Sequence, residues 1–221
     1  MCRILFWSPA TDSLKFYWLQ NISLWSIKEY LLIGDNSMNK QEWIDKNPQL
    51  TYVSLDVNDM LIKADYAFNL ALSQKKDWDF LVKIDLDALL LDYGKLVQML
   101  TECLNQKAFI GVFKKRKECE PGESSIYIRG GCQAFSRSLI ERMVANPCSH
   151  IGIKAQHLDT YMIKWFDSLT DPDKILVSKE LFTITSPRKE VLSPVWHPKK
   201  KAKREAFVLG VDNFLMKGIL K

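Results

Sequence analysis

The residues best suited to chemistry in this sequence are two aspartates, Asp85 and Asp87, which follow the apolar run Phe80–Ile84. Two carboxylates this close repel each other unless a cation lies between them or one of them holds a proton. The pair therefore indicates one of three things: a site for a metal-bound nucleotide, a nucleophile for phosphoryl transfer, or a solvated turn at the end of a strand.

Three pairs of aspartates with one intervening residue occur in the chain: Asp77/Asp79, Asp85/Asp87 and Asp171/Asp173. The first precedes a predicted strand and the third lies in a proline turn, so the spacing alone is not specific. Only the second follows a predicted core strand, and open α/β sheets bind ligands at the carboxyl ends of their strands. Because Mg²⁺ and Mn²⁺ prefer carboxylate oxygens and commonly bridge to substrate phosphates, this pair favours a divalent-metal site.

A rival chemistry uses a similar pattern. Aspartyl-phosphate phosphatases carry an apolar strand, then D-x-D-x followed by Thr or Val, with the first aspartate as the nucleophile. Here Leu89 stands in the position of that Thr or Val, and three predicted strands precede the strand that leads into the pair, whereas those phosphatases usually place this strand near the start of the chain. The sequence also shows no later acidic cluster for the magnesium of such an enzyme. A magnesium-dependent phosphatase with Asp85 as its nucleophile is kept as the alternative.

Composition and charge limit the class of protein. With 221 residues, of which 47% are apolar and 26% charged, the chain fits one sizeable α/β domain with a real core. Five cysteines without a C-x-x-C spacing argue against a disulfide framework or zinc site and favour a reducing, cytoplasmic compartment. The net charge of +5, concentrated in Lys114–Lys117 and Lys199–Arg204, is weak for a nucleic-acid-binding protein. We expect no membrane-crossing segment and no secretory signal.

The elements that must position the aspartates follow from the hydrophobic pattern. Short apolar or β-branched runs predict strands at Ile4–Trp7, Tyr30–Ile33, Thr51–Leu55, Phe80–Ile84, Phe109–Phe113, Ser125–Ile128, Gln133–Phe135, Ile175–Val177 and Phe182–Thr185. Helical spacing predicts helices at Met60–Leu72, Tyr93–Leu104 and Leu158–Leu169, and another that opens near Ser136–Ser138, where Ser138 and Glu141 have capping-box spacing. This order predicts a single α/β domain with a mixed, mainly parallel central sheet flanked by helices.

Three segments resemble known enzymes. Lys63–Asp87, KADYAFNLALSQKKDWDFLVKIDLD, resembles the D-x-D region of GT-A glycosyltransferases, especially the fringe and β-galactosyltransferase type and small stand-alone GT-A domains of bacteria and algal viruses. Tyr127–Met143, YIRGGCQAFSRSLIERM, is similar to their GG-x-x-x-x-S segment. His157–Met162, HLDTYM, falls where those families carry an acidic pair ahead of a helix. Together the three segments extend the resemblance over roughly Ile4 to Pro198.

The resemblance implies a single Rossmann-like GT-A domain over residues 1–221. Its parts would be a nucleotide-binding half at 1–104, an acceptor-binding half at 105–198 and a basic C-terminal segment at 199–221. One departure from the fringe type is Leu86, which stands where that type has the middle aspartate of three. Many other metal-dependent GT-A families have a non-acidic residue at this position.

The resemblance also implies the cofactors, which are Mn²⁺ or Mg²⁺ and a nucleotide-sugar donor, most often a UDP-sugar. On that basis Asp87 ligates the metal, while Asp85 contacts the ribose or holds a metal-bound water. His197, in SPVWHPKKK, would be the third metal ligand, since neutral imidazole can complete such a site. Lys199 or Lys200 would then reach the phosphates. The alternative for His197 is a loop histidine beside a solvated basic patch.

The same comparison makes Asp159 the candidate catalytic base. A carboxylate near a helix start could deprotonate an acceptor hydroxyl for an inverting displacement. Aspartate is also favoured at helix N-termini by capping and by the helix dipole, which would make its role purely structural. If the enzyme retains configuration, Asp159 would instead orient the donor sugar.

Residues after the first two strands are candidates for the nucleotide base. Trp7 ends the first apolar run, Ser8 and Pro9 follow it, and Asp35 follows the second. Asp35 could accept a hydrogen bond from uracil, or it could serve its own turn.

Four further residues are candidate donor contacts. Gly130 and Gly131 would let the backbone approach a bound sugar, or they form an ordinary turn or bulge between strands. Lys63 and Lys83 would contact phosphate or base, although lysines beside acidic residues often only balance charge.

The function predicted from these residues is transfer of a sugar from a nucleotide-sugar to a glycan or glycolipid hydroxyl. The partners expected are the donor and the glycan acceptor, with no nucleic acid and no transmembrane segment. The apolar residues after the basic run leave open a peripheral contact with a membrane or partner domain, within a multidomain or multi-enzyme glycan pathway. The alternatives are the phosphatase, a basic nucleic-acid-binding module and a GT-A domain that binds nucleotide without transfer.

Overall fold

The apolar runs of the sequence form the strands of the fold. The protein is seen in a computed structural model that describes residues 2–11, 27–36, 40–45, 47–56, 59–75, 77–115, 126–147, 158–183 and 193–196. The strands in these residues are β1 (Ile4–Pro9), β2 (Tyr30–Asp35), β3 (Leu50–Leu55), β4 (Phe80–Ile84), β5 (Leu89–Leu90), β6 (Lys107–Gly111), β7 (Phe113–Lys115), β8 (Ile126–Ile128), β9 (Cys132–Ser136), β10 (Lys174–Ser178), β11 (Phe182–Thr183) and β12 (Val195–Trp196).

Seven of these strands form the central sheet, in the order β10-β6-β9-β4-β1-β2-β3. Neighbours run parallel except at β9, which is antiparallel to both β4 and β6. Two smaller sheets, β11-β12-β5 and β7-β8, lie beside it. The prediction of a single α/β domain with a mixed, mainly parallel sheet is confirmed.

Helices cover both faces of the sheet. They are α1 (Lys40–Ile44), α2 (Met60–Gln74), α3 (Tyr93–Thr101), α4 (Arg137–Ala145) and α5 (Leu158–Ser168). Because successive side chains of a strand point to opposite faces, Phe6 packs on the side of α1 and α3, whereas Leu5 and Trp7 pack on the side of α2, α4 and α5. No helix in the described part of the chain is long and apolar enough to cross a membrane.

Capping side chains set the first residues of three helices. Asp59 and Asp92 cap α2 and α3, and Ser136 caps α4. The predicted opening of this helix near Ser136–Ser138 is confirmed, but Ser136 is the cap, so the capping box of Ser138 and Glu141 is wrong. Ser136 ends β9 in an extended conformation, and its hydroxyl accepts a hydrogen bond from the third N–H of the helix, so α4 begins directly after the strand.

The predicted strand Phe109–Phe113 is divided in the structure. β6 ends at Gly111, and β7 begins at Phe113 and pairs with β8 instead of continuing in the central sheet. A Cβ atom on Gly111 would lie 2.5 Å from Cδ1 of Ile128. The glycine therefore lets β8 pack closely where the chain leaves the central sheet.

An aromatic cluster fills the space between the sheet and α2, α4 and α5. The ring of Phe68 lies 6.1 Å from that of Trp7, 5.3 Å from that of Phe135 and 5.4 Å from that of Trp165. Such offset and edge-on pairs add to the free energy that burial itself supplies. Phe68 therefore connects α2 to the sheet and to α5, the helix that carries Asp159.

Replacement of Phe68 is the stability test of this packing. We expect Phe68→Ala to lower the free energy of unfolding by about 3–5 kcal/mol, because the side chain is fully buried and leaves a cavity. Tyr66→Ala, on the same helix but 39% exposed, should cost at most about 0.5 kcal/mol. Urea unfolding of the two variants measures the difference, and equal costs would contradict the packing described.

Candidate active site at the carboxyl edge of the sheet

Asp85 and Asp87 lie in a tight turn directly after β4. The N–H of Ala88 donates to the carbonyl of Asp85 at 2.9 Å, which closes the turn around Leu86 and Asp87. The N–H of Asp85 donates to the carbonyl of Gly131 at 3.0 Å. Because β9 is antiparallel to β4, its first residues lie beside the last residues of β4, and the aspartates meet the glycine pair.

Glycine suits positions 130 and 131 for two different geometric reasons. Gly131 has φ of 107°, a conformation that favours glycine because other residues lose stability there. A Cβ atom on Gly130 would lie 2.7 Å from Oδ2 of Asp159. The absence of a side chain at Gly130 therefore lets the Asp159 carboxylate pack against the loop backbone.

The side chain of Lys83 is a buried cation that lies between the carboxylates of Asp85 and Asp159. Its Nζ lies 2.7 Å from Oδ1 of Asp85 and 3.7 Å from Oδ1 of Asp159, and its side chain is 5% exposed. Burial opposes the charged form, but attraction to Asp85 and Asp159 prevails and raises the pKa of Lys83 above its ordinary value. Lys83 is therefore an ammonium ion that connects the aspartate turn to α5.

Asp159 lies in the first turn of α5, and a residue of the central sheet also binds its carboxylate. Its Oδ1 accepts a hydrogen bond of 2.6 Å from Nε2 of Gln133 in β9. Its side chain is 31% exposed, so the carboxylate is partly open to solvent. Sequence reasoning missed Gln133; the available signal was a polar residue inside an otherwise apolar strand, which is buried only when it has a partner.

Cys132 adjoins this network without being a nucleophile. The thiol is fully buried beside Lys83 and Asp85. Burial raises the pKa of Cys132 to about 12. The group is therefore a neutral thiol at pH 7, and the chemistry of the edge depends on its carboxylates.

Trp7, Ser8 and Pro9 lie at the carboxyl end of β1 and are buried. The Ser8 hydroxyl lies 2.6 Å from the hydroxyl of Tyr30 and donates to the carbonyl of Ile84, the residue before Asp85. These contacts connect the ends of β1 and β4 to Tyr30, the first residue of β2. Direct contact of these residues with a nucleotide base stays a prediction.

Asp35 and Lys63 form a second buried ion pair at the same edge. Nζ of Lys63 lies 3.2 Å from Oδ2 of Asp35 and donates to the carbonyl of Ala10 at 2.5 Å. Lys63 has no exposed surface. The pair therefore ties α2 to the ends of β1 and β2, and its predicted contact with a nucleotide stays a prediction.

His197, Lys199 and Lys200 lie outside the described residues. The strand before them, β12, is described and pairs antiparallel with β5, with Trp196 opposite Leu89. Leu89 follows Asp87 by two residues, and His197 follows Trp196 directly. The described strand β12 therefore ends beside β5, close to the aspartate turn.

The donor set at the turn suits a hard divalent cation. Asp85 and Asp87 offer carboxylate oxygens, which Mg²⁺ and Mn²⁺ prefer. No group of three His, Cys, Asp or Glu side chains that could hold a metal occurs within the described ranges. Two protein carboxylates are typical of sites in which substrate phosphates and water supply the remaining ligands, so the residues fit such a metal.

No model of a known protein family matches the sequence, and no curated protein is significantly similar to it. Among solved structures, the chain is similar to the crystal structure of a 4-diphosphocytidyl-2C-methyl-D-erythritol synthase from Anaerococcus prevotii, with a TM-score of 0.51 and 13% sequence identity. The match covers 80% of this chain and 87% of that chain. It shows a shared Rossmann-like α/β fold, and function must be argued from the site.

Proposed function

We propose that this chain is a divalent-metal-dependent glycosyltransferase of the GT-A type. It moves a sugar from a nucleotide-sugar, most suitably a UDP-sugar, to a hydroxyl of a glycan or glycolipid. The observation that carries the proposal is that three segments far apart in the sequence meet at one edge: the Asp85/Asp87 turn, the Gly130-Gly131 pair and Asp159. Both proposed halves of the domain contribute to this edge.

The solved structure with a similar fold supports a nucleotide as the ligand of this site. By its name, that synthase makes a compound with a diphosphocytidyl group, which is a nucleoside diphosphate. Open α/β sheets bind such ligands outside the carboxyl ends of their strands, where Asp85 and Asp87 lie. The phosphates would also complete the ligand set that two aspartates leave open.

The aspartate turn would hold the metal. Asp87 and Asp85 would supply carboxylate oxygens, His197 would be the third ligand, and Lys199 and Lys200 would reach the phosphates. When bound, the cation would stabilise the negative charge that develops on the leaving diphosphate. The buried contacts of Ser8 with Ile84, and of Lys63 with Ala10 and Asp35, would fix the ends of β1, β2 and β4 around this site.

Asp159 would act on the acceptor. Gln133 and Lys83 hold its Oδ1, and Gly130 lets its Oδ2 lie against the backbone, so the carboxylate has a defined orientation. A carboxylate positioned this way can take the proton of an acceptor hydroxyl as it attacks the sugar.

Calorimetric titration with UDP, with and without Mn²⁺, tests the proposal on the unaltered chain. We expect UDP to bind in the presence of Mn²⁺ and to bind at least about tenfold more weakly in EDTA. Absence of UDP binding at every metal concentration would overturn the proposed donor. Trapping of an acyl-phosphate that Asp85→Asn abolishes would then favour the phosphatase.

A further inference from the structure

We propose that Lys83 makes the binding of a divalent cation at Asp85 and Asp87 depend on the diphosphate of the nucleotide. The inference rests on the metal site of the proposed function and adds a control on its occupancy. Its starting observation is that Asp85, a predicted ligand, already shares one carboxylate oxygen with the ammonium group of Lys83.

Lys83 is a fixed part of the site. Its Nζ lies 2.7 Å from Oδ1 of Asp85 and 3.7 Å from Oδ1 of Asp159, and the side chain is 5% exposed. Its register partners in the neighbouring strands are Trp7 in β1 and Gln133 in β9, and both are fully buried. The ammonium group is therefore enclosed by the sheet and is not a mobile surface charge.

Electrostatics then disfavours a second cation on Asp85 alone. A charge within about 4–6 Å changes the affinity of a carboxylate for a proton by about one to three pKa units, or tenfold to a thousandfold. A divalent cation on the same carboxylate is repelled by Lys83 in the same way. A diphosphate brings negative charge to this place and offsets the repulsion.

Cation and nucleotide should therefore bind with positive coupling. By thermodynamic reciprocity, UDP tightens the binding of Mn²⁺ by the same factor as Mn²⁺ tightens that of UDP. Lys83 sets the size of this factor, because it weakens the binding of the cation alone more than it weakens the binding of the cation with UDP.

The experiment measures the binding of Mn²⁺ by electron paramagnetic resonance, with and without UDP, in the unaltered chain, Lys83→Met and Lys83→Arg. In the unaltered chain we expect UDP to tighten Mn²⁺ binding at least about tenfold. In Lys83→Met we expect Mn²⁺ alone to bind at least about tenfold more tightly, with a smaller effect of UDP. Lys83→Arg keeps the charge and should keep the weak binding of Mn²⁺ alone.

Three further variants serve as controls for folding, for the position of the lysine and for the ligand it acts on. Lys83→Gln, whose amide can still donate to Asp85, replaces Lys83→Met if that variant does not fold. Lys179→Met removes a lysine that pairs with Glu102 at the end of β10, three strands from β4, and should leave Mn²⁺ affinity unchanged. Asp85→Asn added to Lys83→Met should remove the gain in affinity.

Tight binding of Mn²⁺ to the unaltered chain without UDP overturns the inference. So does an equal effect of UDP in the unaltered chain and in a neutral Lys83 variant, a result that leaves the proposed function standing. If UDP does not bind at all, the proposed function fails. A gain of Mn²⁺ affinity in Lys83→Met that needs Asp85 would still support the role of Lys83.

Discussion

The Asp87→Ala variant should lose metal-dependent binding of UDP. Asp87 is the proposed direct ligand of the cation, and loss of partners that merely orient ligands already costs 10- to 100-fold in metal affinity. We therefore expect UDP affinity in the presence of Mn²⁺ to fall about 100-fold or more, which is about 2.7 kcal/mol. Calorimetric titration with UDP measures the change, and residual binding should no longer respond to EDTA.

The chain contains a matched control for this variant. Asp171 and Asp173 have the same spacing, and both contact Lys107 at the start of β6, on the opposite edge of the sheet. Asp173 is the second aspartate of its pair, as Asp87 is of its own, so Asp173→Ala should leave UDP binding unchanged. Equal affinities in Asp87→Ala and the unaltered chain would remove Asp87 from the metal site.

The Asp159→Asn variant should lose catalytic turnover but should still bind the nucleotide of the donor. The asparagine amide is similar in shape but cannot take the proton of the acceptor hydroxyl. General base catalysis contributes a rate enhancement of about 10²- to 10⁴-fold. We expect kcat to fall by a factor in this range with any donor sugar that the chain transfers or hydrolyses. UDP affinity in the presence of Mn²⁺ should change by less than about threefold, because Asp159 is not a proposed metal ligand.

Asp167→Asn provides the control on the same helix. Asp167 is an exposed residue of α5, beyond the first turn that contains Asp159. The same chemical change there should alter neither kcat nor UDP affinity. A parallel loss of kcat and UDP affinity in Asp159→Asn would instead indicate that this carboxylate supports the donor site, and unchanged kcat would exclude it as the base.

The sequence by itself determined the α/β class and the position of the aspartate turn. Strands buried on both faces must be apolar almost throughout, and this leaves a local record in runs such as Phe80–Ile84. The end of such a run is also local information, so Asp85 and Asp87 could be placed after a core strand. The pattern around Gly130-Gly131 and Asp159 could be recognised in the sequence. The distance of these residues from Asp85 and Asp87 could not be predicted from it.

Only the tertiary structure decided which polar side chains meet. β9 runs antiparallel between β4 and β6, and this direction places Gly131 beside Asp85 and Gln133 within reach of Asp159. The order and direction of strands depend on contacts between distant segments, which no local pattern records. The pairing of β5 with β12 was hidden for a second reason, since strands of two residues are too short to show a period.

The burial of charge was decided in the same way. Lys63 and Lys83 are both lysines near acidic residues in the sequence, and nothing local distinguishes them from solvated surface charges. Lys63 is buried because the fold brings it Asp35, and Lys83, which already has Asp85 two residues away in the sequence, because the fold also brings it Asp159. A lysine loses too much hydration to be buried without such a partner, and the partner is known only once the strands have taken their places.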